Sequence, residues 1–90
     1  MKTSVFEGDN TAWVAACREM ARLSRKLPGG VARMDAFAAA VITSGASGGY
    51  IDRQPRSVEG RIVIFSAPGP KTMAFLDELR AAVAAKGVAA

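Results

Sequence analysis

The segment RIVIFSAPGPKT, Arg61 to Thr72, decides the fold of this 90-residue chain. Its uninterrupted apolar run, Ile62 to Phe65, predicts a strand that is covered on both faces and lies centrally in a small sheet. Pro68 and Gly69 then predict a tight turn. Pro70 suits the first position of a helix, because the amide that proline lacks has no helical partner there. The segment therefore predicts a central strand that turns directly into a helix.

The Lys-Thr pair after this turn invites comparison with a phosphate-binding loop, whose pattern is GxxxxGK[ST]. Both glycines of the pattern are missing, since Pro70 precedes the lysine and Phe65 occupies the first glycine position. Pro68 and Pro70 also remove two backbone donors that such a loop uses. A weak, generic anion site at the helix start is one hypothesis, and an ordinary helix start with a solvated lysine is the other. The candidate anion-binding residues are Gly69, Lys71 and Thr72.

Outward from this segment, hydrophobic spacing predicts two further helices and a hairpin. The hairpin has short strands joined by the long polar loop DRQPRSVEG, and a β-prone segment near the N-terminus predicts an edge strand. The predicted elements are an edge strand at Thr3–Phe6, helices at Thr11–Leu27, Val31–Ser44 and Pro70–Lys86, and hairpin strands at Tyr50–Ile51 and Arg61–Ser66.

These elements predict the α+β class in the order β-α-α-β-β-α. A small antiparallel sheet, made of the hairpin and the N-terminal edge strand, is expected to pack with the three helices in one domain, residues 1–90. The chain has 18 alanines, so few large apolar residues are left for the core. Self-association is therefore a hypothesis, because a partner would cover apolar area that a small core leaves exposed.

The composition restricts the chemistry open to the chain. It has no histidine and a single cysteine, Cys17, so the commonest general base, the commonest metal ligand and an internal disulfide are missing. Cys17 lies on the apolar face of the first helix, where we expect a small buried hydrophobic residue rather than a nucleophile. The sequence therefore predicts a protein that is not an enzyme and needs no metal or other cofactor.

The same features predict a compartment and an origin. No stretch resembles a secretory signal, and the longest apolar run, AFAAAVI, is far below the roughly 20 residues that span a membrane. We therefore expect a cytoplasmic protein that does not bind membranes. Abundant alanine and an excess of arginine over lysine, eight to four, are typical of GC-rich bacterial coding sequences, which suggests a bacterial or bacteriophage protein.

Three arginines at i, i+4 and i+7 form a stripe on the first helix. We call Arg18, Arg22 and Arg25 the arginine stripe; Lys26 lies beside it, and only Glu19 is near enough along the helix to neutralise it. Guanidinium groups on a rigid helix can bind phosphates or a carboxylate-rich protein surface. The alternative is an ordinary solvated helix face.

A second basic group surrounds the predicted hairpin loop. It consists of Arg53, Arg56 and Arg61, with Asp52 and Glu59 among them. A protruding basic loop suits contact with a partner, but nucleic-acid grooves usually add aromatic side chains for base stacking, and this loop has none. A solvated hairpin tip is the alternative.

Alanines at residues 36–40 and 81–85 make parts of two helices nearly flat. Another helix can approach such a face closely, so a homodimer is a hypothesis, although high helix propensity explains the same residues equally well.

Together these features predict a small non-enzymatic interaction module that binds, and thereby inhibits or regulates, another macromolecule. The expected partner is a protein with an acidic surface, contacted by the arginine stripe and the hairpin. A nucleic-acid-binding regulator that uses the same arginines is the first alternative. A small phosphate-ligand-binding protein that uses Lys71 is the second.

Overall fold

The computed structural model describes residues 6–45 and 48–89. Three helices and a three-stranded mixed sheet follow one another in the predicted order, which confirms the α+β class. The elements are β1 (Phe6–Asp9), α1 (Thr11–Ser24), α2 (Gly30–Ser44), β2 (Ile51–Val58), β3 (Arg61–Pro68) and α3 (Pro70–Ala89). Of the edge strand predicted at Thr3–Phe6, residues 3–5 lie outside the described residues.

The sheet has the order β1-β3-β2, so β3 is central and β1 is at an edge, as predicted. β2 and β3 form an antiparallel hairpin, whereas β1 pairs parallel with β3, Phe6 opposite Ile62 and Asp9 opposite Phe65. The sheet is therefore mixed rather than antiparallel. The long connection through two helices and β2 brings the chain back so that β3 enters the sheet in the direction of β1.

The connection between the two hairpin strands is much shorter than predicted, so the prediction of a long polar loop is wrong. β2 continues to Val58, so only Glu59 and Gly60 connect it to β3. Both residues have positive φ, 51° and 79°, as a two-residue type I′ hairpin turn requires. The part of β2 after Ile51 was missed because β2 is an edge strand whose residues from Asp52 to Val58 are all exposed. These residues have no apolar periodicity, and Pro55 is tolerated at such an edge.

The core lies among the helices rather than on the sheet. Phe37 of α2 stacks on Phe75 of α3, with ring centroids 4.5 Å apart, and meets Tyr50 edge-on at 5.4 Å. β3 contributes no fully buried side chain: Ile62 is exposed and Val63 to Pro68 are half-buried, so the predicted cover on both faces is not found. Only α1 packs along β3, whereas α3 leads away from its end. The buried core cluster consists of Met20, Leu23, Phe37, Leu76 and Leu79.

Two helix ends differ from prediction. α1 ends at Ser24, three residues early, because a tight turn brings Gly30 against the Ser24 carbonyl, where no side chain would fit. α3 continues through Gly87, the predicted stop, to Ala89. None of the helices in the described ranges combines the length and apolar character needed to cross a membrane.

The molecule is long and thin, with extents of 62 × 26 × 17 Å. Its radius of gyration is 16.2 Å, against about 12 Å for a compact domain of this length. The 20 residues of α3 span about 30 Å, and the eight-residue hairpin strands span about 26 Å. Joined nearly end to end at Gly69, they account for the long axis. The hairpin turn therefore lies at one end of the molecule and the C-terminal end of α3 at the other.

Candidate functional site

The arginine stripe lies on the open side of α1. Arg18, Arg22 and Arg25 are all exposed and extend over about 10 Å of the helix axis. Within the part of the chain that the structure describes, their side chains make no hydrogen bond or ion pair. The structure thus presents three guanidinium groups to solvent on one rigid element.

Glu19, the acid expected to neutralise the stripe, binds α3 instead. Arg80 donates to both carboxylate oxygens of Glu19, at 2.8 Å from Nε and 2.9 Å from Nη2. The same arginine also binds Asp77, three residues earlier in α3, at 3.3 Å. The hydrogen bonds from Arg80 lower the pKa of Glu19, and the nearby charge of Arg22 lowers it further. Both oxygens of Glu19 therefore serve the packing of α1 against α3, and the stripe is left without a bonded counter-ion.

Lys86 brings a further positive charge to the end of α1. Its Nζ donates to the Lys26 carbonyl oxygen at 2.6 Å, across 60 residues of sequence. The side chain of Lys26, also exposed, lies with Lys86, Val83 and Gly87 around a shallow hollow of about 370 Å³. Lys86 was not among the predicted binding residues. Only the packing of α3 on α1 brings it here, and residue spacing carries no signal of that packing.

The hairpin arginines are divided between the two faces of the ribbon formed by β2 and β3. Side chains alternate along a strand, so Arg53 and Arg56 project from opposite faces. Arg61 pairs with Val58 and therefore shares the face of Arg56. The prediction grouped these arginines around a loop; because the segment is a strand, no single face presents all three.

Arg56 is held in position by two contacts on the hairpin. Its guanidinium lies 5.0 Å from the centre of the Phe65 ring, and its Nη2 donates to Gln54 at 3.0 Å. Gln54 in turn donates to Asp52 at 3.1 Å, which gives a polar row along β2. The aromatic partner that the loop lacked thus comes from β3 through the strand register, which places Gln54 opposite Phe65.

The donors of the predicted anion site are engaged within the chain. The Gly69 amide donates to the Tyr50 carbonyl, and the Lys71 amide to the Gly49 carbonyl, both at 2.9 Å. The Thr72 hydroxyl, fully buried, also donates to the Tyr50 carbonyl at 2.6 Å. The Lys71 ammonium lies over the Tyr50 ring, 5.3 Å from its centre. These contacts make the turn a structural joint between the hairpin and α3, and the anion site stays a prediction.

Cys17 is half-buried rather than buried, beside an apolar groove between α1 and α2. Burial raises the pKa of its thiol, which keeps the sulfur in its unreactive, protonated form at neutral pH. In residues 6–45 and 48–89, no three histidine, cysteine or acidic side chains are placed to hold a metal ion.

The two basic surfaces are far apart. The contact between Lys86 and Lys26 places the end of the arginine stripe near the end of α3, whereas Arg56 and Arg61 lie towards the hairpin turn.

Comparisons with protein-family models, curated proteins and solved structures found no match to this chain.

Proposed function

We propose that the protein is a non-enzymatic interaction module that binds an acidic protein surface through the arginine stripe. The observation that carries the proposal is the ion pair of Glu19 with Arg80, which leaves the guanidinium groups of the arginine stripe without a hydrogen-bonded counter-ion. Arginine presents its donors in a planar fork that fits carboxylates in pairs, so a row of exposed arginines suits a carboxylate-rich partner.

The rigidity of α1 supports this proposal. Met20 and Leu23, which alternate with the stripe, are buried in the core, so the helix cannot turn without losing its main packing. Lys26 and Lys86 extend the positive surface at the end of the helix. A partner would therefore meet arginines whose backbone positions are already fixed, so binding would order their side chains without ordering the helix.

The carboxylates available for acid-base chemistry are consistent with a binding role. Glu19 and Asp77 bind Arg80, and Glu78 binds Arg33 at 3.3 Å, all at the surface. These carboxylates hold elements together or remain solvated, and none lies in a cavity with a second catalytic group. We therefore infer that binding, rather than turnover, is the activity of the protein.

The test compares two double variants that remove the same charge from different surfaces. Three immobilised proteins would be used to capture partners from a bacterial lysate: the unmodified protein, the stripe variant Arg18→Ala/Arg22→Ala and the hairpin variant Arg53→Ala/Arg56→Ala. The affinity of each for the captured protein would then be measured. We expect the stripe variant to weaken binding about tenfold or more, equivalent to ~1.4 kcal/mol, and the hairpin variant to bind as the unmodified protein does. Equal capture by all three proteins would contradict the proposal.

A second candidate function, nucleic-acid binding, is favoured by the position of Arg56. Its guanidinium is held over the Phe65 ring on the exposed edge strand β2, and Arg61 lies on the same face, so the hairpin presents cations that can meet phosphates. Binding of a random-sequence DNA duplex by fluorescence anisotropy at about 50 mM salt would test it, since affinity for several phosphates falls steeply as salt is added. Loss of DNA binding in Arg53→Ala/Arg56→Ala, with retention in Arg18→Ala/Arg22→Ala, would support this function. Absence of binding by the unmodified protein would dismiss it.

A further inference from the structure

We infer that a second copy of this chain covers the outer face of α2. The two most exposed large apolar side chains of the described chain both lie on this helix: Ile42 is 81% exposed and Val31 is 58% exposed. Ala38 lies between them, seven residues after Val31 and four before Ile42, so the three share one side of the helix. We call these three residues the α2 apolar stripe.

The groove beside this stripe has the size and lining of a receptor for an aliphatic side chain. It measures about 160 Å³, and a cavity of about 150 Å³ lined by apolar side chains accommodates a molecule as large as benzene. No charged side chain lines it. Trp13 and Cys17 of α1 form one side, and the other side consists of Met34, Phe37, Ala38, Val41 and Ile42 of α2.

The groove and the projecting Ile42 are adjacent, so one surface carries both an apolar groove and an apolar side chain that fits such a groove. In a two-fold interface, the same patch on each subunit is complementary to itself. Ile42 of each copy would enter the groove of the other, and the small side chain of Ala38 would let the two helices approach closely.

The single chain exposes more surface than a compact monomer of its mass. Its accessible surface is 5934 Å², whereas a compact monomer of 9.4 kDa exposes about 5,000 Å². The elongated shape contributes to this difference, whose size is of the order of the ~800 Å² that each partner buries in an interface of standard size. α2 leaves a face open to a second copy, because it packs along α1 alone and reaches the rest of the core mainly through Phe37.

The charges around the stripe also suit a second copy. Arg25 and Asp35 line the neighbouring cleft between α1 and α2, so each copy brings one charge of each sign to this rim. The chain has a net charge of +4, which would make two copies repel each other in general. At this rim, however, the charges of Arg25 and Asp35 balance. A strongly acidic or basic partner would gain nothing from this face.

The mass of the protein in solution tests the inference. Light scattering between about 1 μM and 1 mM is expected to give twice 9.4 kDa at the upper end of that range. Ile42→Lys should raise the dimer dissociation constant about 100-fold or more, because a charge would be buried in an apolar groove. Met73→Lys is the matched control: Met73 is 39% exposed on α3 and should leave the dimer unchanged. Circular dichroism would confirm that both variants are folded.

Trp13 supplies a second measurement, because it lines the groove and is the only tryptophan of the chain. Its fluorescence emission should shift to longer wavelength as dilution separates the copies, and Ile42→Lys should show that emission at every concentration. A mass of one chain throughout would overturn the inference. So would a dimer whose Trp13 emission does not change on dilution, because the interface would then lie elsewhere.

Discussion

The carbonyls of Gly49 and Tyr50 receive the beginning of α3. Three donors converge on them: the amides of Gly69 and Lys71 and the hydroxyl of Thr72. A threonine with no exposed surface would be costly without such a bond, because a buried hydroxyl must recover the hydrogen bonds it loses with water. The segment that suggested phosphate binding from its sequence is explained at this scale as a joint between hairpin and helix.

Gly69→Ala should destabilise the fold by about 1–3 kcal/mol, because a Cβ there would lie 2.5 Å from the Gly49 carbonyl oxygen and force the joint apart. Urea unfolding would measure the change. The matched control is Gly87→Ala, within α3, where a Cβ would meet nothing within 4 Å. That change should be neutral or add up to about 1 kcal/mol, through higher helix propensity. Equal stability of Gly69→Ala and the unmodified protein would contradict the tight joint.

The ion pair between Glu19 and Arg80 predicts a pH dependence of stability. Because hydrogen bonds from Arg80 lower the pKa of Glu19 below its ordinary value of 4.5, the folded state holds the ionised carboxylate more strongly than the unfolded state does. Its contribution is therefore complete above about pH 4.5 and is lost as pH falls through the lowered pKa. In urea titrations, the unmodified protein should be more stable than Glu19→Gln at pH 7, and this difference should shrink at pH 3. A constant difference would contradict it.

At the scale of elements, the hairpin shows what makes β2 a strand despite its polar sequence. Its residues pair with the apolar β3 over the full eight positions, and the turn at Glu59 and Gly60 fixes the register. Glutamate is a poor residue for a left-handed conformation, which costs roughly 1–2 kcal/mol for most side chains. The turn is thus the weakest local match between sequence and structure.

Glu59→Asn should stabilise the protein by about 0.5–1 kcal/mol, because Asn-Gly is a preferred pair for a type I′ turn. Thermal or urea unfolding would measure the gain. Glu59→Gln removes the same charge without favouring positive φ, so it should change stability little. If both variants behave alike, the effect comes from charge and the assigned turn is not supported.

The sequence predicted those elements that carry an apolar pattern, and it failed where tertiary contacts decide the structure. Apolar spacing located all three helices, and the run from Ile62 to Phe65 located the central strand. The start of β2 was predicted, but its length was missed because an exposed edge strand carries no apolar alternation. The contacts of Lys86 and Glu19 were missed because they depend on the packing of α3 on α1. The contact of Arg56 with Phe65 was missed because it depends on the strand register.

At the scale of the whole molecule, stability rests on a small number of side chains. Among the residues that the structure describes, five large or medium apolar side chains form the buried core cluster, and none of these comes from the sheet. A 90-residue chain has a limited stability margin even when it is compact, and this one is elongated. Truncation of a single core side chain should therefore lower the stability of the entire fold.

Leu79→Ala should lower the free energy of unfolding by about 2–5 kcal/mol, since Leu79 is fully buried and its loss leaves a cavity. A loss of this size approaches the whole stability of many small domains, so a large unfolded fraction is expected in the absence of urea. Met73→Ala, in the same helix but 39% exposed, should cost much less. Comparable losses in the two variants would show that α3 does not face the core as described.

The joint at Gly69 also has a mechanical consequence. The donors that converge on Gly49 and Tyr50 restrain bending between the ribbon and the long helix, so the two behave as one lever. A force that pulls on the turn at Glu59 and Gly60 would therefore be transmitted along α3 rather than absorbed by bending at Gly69. It would reach the end of α3, where Lys86 binds the carbonyl oxygen that follows α1.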